Sequence, residues 1–303
     1  MSENQIIVHT HSSFSPLRIW TLATNTVTQL LRMKILAFLV AFSFIAIAAG
    51  FAFPAMSPEQ QLKLLKDVSF GALQVFSIVM AVAATALLLP RDLEDRTLYT
   101  ILSKPVPRYE YLIGKLLGVI LLLGGSLLVM DIIFSLVVWL KQTLILSGTL
   151  AELEHAHKNT PENIAAVSAE VQRFGLTASL HAGVFAVFLK ASVIAALSLL
   201  ISCLASSTLF TIIVGFAFVI AGHGEQLARD YFFHRQFPGV WEKILSGVLA
   251  VACPDLTLFD LVEPAIRGEI ITATALGMAS GVAALYITGY MAVSYLLFVE
   301  KEL

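Results

Sequence analysis

Charge is what this sequence has least of. Asp, Glu, Lys and Arg make up 13% of its 303 residues, well short of the ~25% usual in soluble domains. The net charge of −2 offers no basic surplus, which argues against nucleic acid as a partner, because phosphate binding needs Lys and Arg clustered on one face. There are only two cysteines, Cys203 in an apolar run and Cys253 in a late loop. They make no disulfide framework and read as small packing residues. Also missing is a G-x-x-x-x-G-K-[ST] phosphate loop: Gly114-Lys115 lacks the upstream glycine and stands at the edge of an apolar run. The histidines of Glu154-His155-Ala156-His157 are two positions apart and would point to different helix faces, so they make a poor metal site. His223-Gly224-Glu225 does not extend to H-E-x-x-H, and no Ser/His/Asp set stands out. Neither internal repeats nor low-complexity tracts occur.

What is present is hydrocarbon. Hydrophobic residues reach 58% and the mean hydropathy is +0.85, the composition of an all-α polytopic membrane protein. Uncharged stretches suggest six transmembrane helices, at 35–53, 69–89, 112–140, 180–203, 208–222 and 271–298. The first follows a leader too long for the n-region of a signal peptide and reads as an uncleaved span. The run from Ala191 to Gly224 is too long for one crossing, and Ser202, Ser206, Ser207 and Thr208 mark its break. Basic residues crowd the ends of spans on one side, at Arg32, Lys34, Arg91 and Lys115, which places both termini inside. The chain reads as a single transmembrane domain over 1–303, with a cytosolic tail and interfacial helix at 1–34, an inner segment at 91–111, and outer loops at 141–179 and 223–270.

Ahead of the first span, Phe14 to Lys34 has the pattern of an amphipathic helix, with Ser15 and Pro16 as N-cap and first helical residue. Leu17, Trp20, Leu22, Val27, Leu30 and Leu31 supply its apolar contacts. Such a helix can lie in the headgroup plane, anchored by Trp20, Arg32 and Lys34, or pack on a partner. Both outer loops carry helical patterns. Thr160 and Pro161 open one in which Ile164, Val167, Val171 and Phe174 share a face. Val240 to Ala252, closed by Pro254, is too short to span and suits an interfacial or re-entrant helix.

The one charged island between long apolar runs is Arg91 to Lys115, RDLEDRTLYTILSKPVPRYEYLIGK. Asp92 to Ser103 suits a short helix, with acids in its first turn and an apolar strip of Leu93, Leu98, Ile101 and Leu102. Pro105 and Pro107 end it, since neither can donate an amide hydrogen. Tyr109 and Tyr111 suit the membrane interface. Gly114 then permits close helix approach, and Lys115 anchors the next span.

Glu94, Thr97, Leu98, Ile101, Leu102, Ser103, Pro105, Arg108, Gly114 and Lys115 together resemble the motif between spans two and three of type-2 ATP-binding-cassette (ABC) transporter permeases, approximately E-x-x-T-L-x-x-L-L-S-x-P-V-x-R…G-K. Arg96 departs from it, standing where many relatives have Gly. The 21–34 stretch is similar to the helix before the first span of such permeases, Pro254-Asp255-Leu256…Phe259-Asp260 to their last outer-loop motif, and Phe298 to Leu303 to their short cytosolic tail. The resemblance implies a six-span half-permease in the cell (inner) membrane, working as a homodimer or heterodimer with two cytosolic ABC ATPase subunits. It binds no cofactor itself; ATP and Mg belong to the partner ATPase. The 91–111 segment would be the coupling helix, docking in a groove of that ATPase. Exporters are the commonest expectation, and the substrate is not written in these residues. A membrane enzyme or a non-transporting scaffold would be the alternatives; the first needs convergent catalytic groups that are not seen.

Two charges stand inside spans, Asp131 and Lys190. Each costs about 2.5–3.5 kcal/mol there on insertion scales, so a partner or a wet cavity is expected. Counted from the outer ends of spans three and four they fall at similar depth, which suggests a buried pair. Gly118, Gly124, Gly125 and Ser126 are small enough for close helix contacts, including a seam between two copies.

Overall fold

The computed structural model describes residues 14–32, 57–94, 107–158, 160–205, 207–234 and 253–300, with isolated positions between 37 and 48 and at 241; for 89–94 and 225–234 it describes backbone alone. The described elements are helical, without a strand. They are α1 (Pro16–Leu31), α2 (Pro58–Glu94), α3 (Arg108–His155), α4 (Pro161–Phe174), α5 (Ala178–Leu204), α6 (Thr208–His234), a 3₁₀ turn (Leu256–Phe259), α7 (Val262–Ile266) and α8 (Ala273–Glu300). Among the described residues four long apolar helices can cross a membrane: α2, α3, a stretch containing α5, and α8; Thr208–Gly224 within α6 is a shorter apolar helix. The 35–53 span apart from those isolated positions, Lys34, the Thr97 to Pro105 part of the island, the 240–252 helix apart from Trp241, and the 301–303 tail lie outside the described residues.

Two long helices correct the expected loop boundaries. α3 has 48 residues and is about 72 Å long at 1.5 Å per residue, more than twice the ~30 Å hydrocarbon thickness. Its expected end at Leu140 is not a helix end. Lys141 brings a charge but no helix breaker; Ile145 and Leu146 still pack beyond it, and the helix runs on to His155. α2 likewise starts eleven residues before the expected span, at Pro58. Ser57 and Gln60 exchange side-chain and backbone hydrogen bonds at 3.4 Å, the reciprocal pattern of a capping box. The projecting ends of α2 and α3 are joined by α4, and Leu62, Ile145 and Val171 form a small core there. α4 is capped as its sequence indicates, with the Thr160 hydroxyl accepting from the Asn163 amide.

α5 is the centre of the bundle, packed against α2, α3, α6, α7 and α8. Its residues are buried almost all round, as a helix without a polar face must be. The break before α6 falls where the hydroxyl cluster predicts: Ala205 turns to an extended conformation and the Ser207 hydroxyl accepts from the Phe210 amide. α8 lies at the periphery with Leu285 and Leu296 exposed, which suits a lipid-facing helix.

Candidate functional site: a junction at the foot of α3

The chain leaves the charged island through Pro107, whose extended backbone makes it the N-cap of α3. Within the next two turns α3 is bound to both ends of the chain. Glu110, in the first turn where a carboxylate favours the helix dipole, is fully buried as a side chain. It accepts the Ser15 amide at 2.9 Å and a fork from Arg18, Nε at 2.7 Å and Nη2 at 2.9 Å. A bidentate guanidinium fixes direction as well as distance. This hydrogen bonding raises Arg18 above its already high ordinary range, so it stays charged.

One turn further the contact becomes backbone on backbone. A Cβ on Gly114 would lie 2.6 Å from Leu22 Cβ, and one on Gly118 would lie 2.6 Å from Thr26 Cβ and 2.8 Å from the Ala23 carbonyl oxygen. Gly114 and Gly118 are four apart on one face of α3, the small-x-x-x-small arrangement that lets helices approach closely. The facing stripe of α1 is Ile19, Ala23, Thr26 and Leu30, all buried. Lys115 is buried between them, its ammonium 3.5 Å from Gln29 Oε1 and 5.6 Å from the Tyr111 ring centroid.

The same turns of α3 hold the end of α8. Arg108 Nη1 donates to the Phe298 carbonyl at 3.2 Å and the Val299 carbonyl at 2.8 Å, groups that a helix C-terminus leaves without intrahelical donors. Tyr111 stacks on Phe298, and Tyr109 lies between Phe14 and Tyr295. The start of α1, the start of α3 and the end of α8 therefore lie at one end of the bundle. Beside them an apolar groove of about 490 Å³ runs between α3 and α8 from Tyr109 and Tyr295 to Ile120 and Ile287.

Of the sequence-derived site residues, Arg108, Gly114 and Lys115 meet at this junction. The backbone of Glu94 continues α2, and Thr97, Leu98, Ile101, Leu102, Ser103 and Pro105 are outside the described residues. Trp20 is exposed beside Leu17 on the side of α1 turned from α3, and Arg32 is the exposed C-cap. α1 thus has two apolar faces, one spent on α3. Sequence reasoning passed over Glu110 and Arg18. The signal for Glu110 was an acid in the first turn of an otherwise apolar helix; nothing local pairs it with a residue ninety positions away.

Asp131 and Lys190 are not partners. Asp131 Oδ2 lies 2.8 Å from His181 Nδ1, and Lys190 is buried farther along α5. The expected pair fails because depth was counted from Leu140. With α3 continuing to His155, Asp131 is level with the start of α5, and Lys190 lies nine residues on, about 13 Å along the axis. Asp260 follows the 3₁₀ turn, whose Leu256 and Phe259 are buried and whose Asp255 side chain accepts from the Thr257 amide. Gly118 and Gly124 serve contacts within the chain, with α1 and with Phe188 of α5; Gly125 meets nothing within 4 Å. Among the described residues no group of three His, Cys, Asp or Glu could hold a metal ion.

With this geometry in view, comparison with known families is decisive. A family model described as ABC-2 family transporter protein matches residues 52–228, more than half of the chain. The chain belongs to this family of transporter membrane components. The matched region runs from just before the start of α2 to within α6, so it contains the charged island, the foot of α3 and all of α5. No curated protein sequence matches the chain.

Proposed function

We propose that this chain is the permease subunit of an ATP-driven exporter in the cell (inner) membrane, with both termini cytosolic, working as a dimer with separate ABC ATPase subunits. The island at 91–111 is its coupling segment. Closure of the ATPases around ATP pushes on that segment, and the push enters the bundle through the foot of α3. The carrying observation is the clamp at Glu110, Arg108, Gly114 and Gly118: it ties the residues that leave the island to α1 and α8 together. A force on the island therefore moves three elements as a unit instead of bending one helix end. ATP and Mg act on the partner, and this chain supplies no catalytic group.

The test is copurification and ATPase stimulation. The full chain, coexpressed with its neighbouring gene products, should retain an ATPase and stimulate its turnover in lipid. Leu98→Asp with Leu102→Asp should reduce both at least tenfold without loss of folded permease. An absent ATPase, together with undiminished activity in the double variant, would overturn the coupling reading.

A further inference from the structure

We propose that the facing turns of α3 and α5 around Asp131 form a binding site for a monovalent alkali cation, with Asp131 Oδ1, Ser135 Oγ and Thr177 Oγ1 as its ligands. Each of these three oxygens is closed off from the surface and has no hydrogen-bond partner among the described residues. A carboxylate oxygen so enclosed is costly unless a positive charge or a donor meets it.

Two contacts set the register that brings the three oxygens together. Asp131 Oδ2 lies 2.8 Å from His181 Nδ1, and a Cβ on Gly124 would lie 3.3 Å from the Phe188 ring. Moving up α3 from Gly124 to Asp131 therefore corresponds to moving back along α5 from Phe188 to His181, the relation of an antiparallel pair. One more turn in the same sense brings Ser135 on α3 against Thr177 on α5, each four residues from its neighbour and on the same face.

Both hydroxyls are uncommitted where comparable ones are not. A hydroxyl on an apolar helix can donate to a carbonyl three or four residues back, as Ser126, Thr143 and Thr149 of α3 do. Ser135 makes no such bond. Thr177 is the N-cap of α5, yet its side chain caps no amide. With Nδ1 protonated, neutral His181 donates to Oδ2 and fixes the carboxylate, so that Oδ1 is left for the ion. One carboxylate and two hydroxyls are hard oxygen donors carrying a single negative charge, a set that suits an alkali ion and not a soft metal. Since all three oxygens are enclosed, a headgroup amine could not reach them. This inference does not rest on the coupling role of the 91–111 segment.

The full chain in phosphatidylcholine nanodiscs provides the test, by thermal unfolding in sodium, potassium or lithium chloride against choline chloride at fixed ionic strength. An ion that binds only the folded state raises the midpoint. At least one of the three should do so with wild type, and saturably. Asp131→Asn should abolish the rise, judged against its own midpoint in choline. Ser135→Ala combined with Thr177→Val, which keeps the charge, should lower the apparent affinity at least tenfold. Ser126→Ala, whose hydroxyl is already bonded within α3, should leave the rise unchanged. No ion-specific rise in wild type, or an equal rise in wild type, Asp131→Asn and the double variant, would overturn the proposal.

Discussion

Replacing Gly118 by alanine tests the junction most directly, because it adds one methyl group where α1 and α3 are closest. That methyl would be placed 2.6 Å from Thr26 Cβ and 2.8 Å from the Ala23 carbonyl oxygen. Carbon atoms settle at about 3.5–4.0 Å, so α1 must retreat by roughly 1 Å. Neither obstacle is the free end of a flexible side chain, and the Arg18 fork to Glu110 resists the retreat two turns away. Overpacking of this kind costs about 1–3 kcal/mol, or ~5- to 150-fold in an equilibrium. Gly125→Ala is the control, for its added Cβ would meet nothing within 4 Å, and alanine is better in a helix by up to ~1 kcal/mol. Thermal unfolding of the purified chain in lipid should rank the control at or above wild type and Gly118→Ala below it. In the complex, Gly118→Ala should also cut permease-stimulated ATP turnover while leaving the unstimulated rate alone. If the two variants have the same midpoint and the same stimulation, α1 does not seat on Gly118 and the junction is wrong.

Three further results are expected. Arg108→Gln should raise amide hydrogen exchange in the last turn of α8, at a cost of about 0.3–1 kcal/mol for a lost helix-end cation, with exchange elsewhere in α8 unchanged. Arg18→Ala and Glu110→Ala should be strongly non-additive in thermal stability, because either alone strands the other; additive losses would contradict the fork. A cycle of Asp131→Asn with His181→Gln should show coupling, whereas Asp131→Asn with Lys190→Met should be additive within ~0.5 kcal/mol.

Composition and run length alone made this an all-helical membrane protein, since a bilayer admits few other backbones and length decides whether a helix crosses it. The break at Ser202 to Thr208, the Thr160 cap and the close-packing glycine at 114 were legible too, because each rests on chemistry within a few residues. The start of α2 was legible in principle, as Ser57 to Gln60 spells a capping box; charges at Lys63, Lys66 and Asp67 masked it by marking the edge of the apolar run. The true end of α3 was hidden by the same confusion of membrane boundary with helix boundary at Lys141.

Tertiary structure alone decided the partners. Glu110 with Arg18, Arg108 with the last carbonyls of α8, and Asp131 with His181 join positions some 50 to 190 residues apart. Their meeting depends on where whole helices start, end and cross. A sequence records the cost of burying a charge at each position, but which group meets that charge is fixed only when the helices pack.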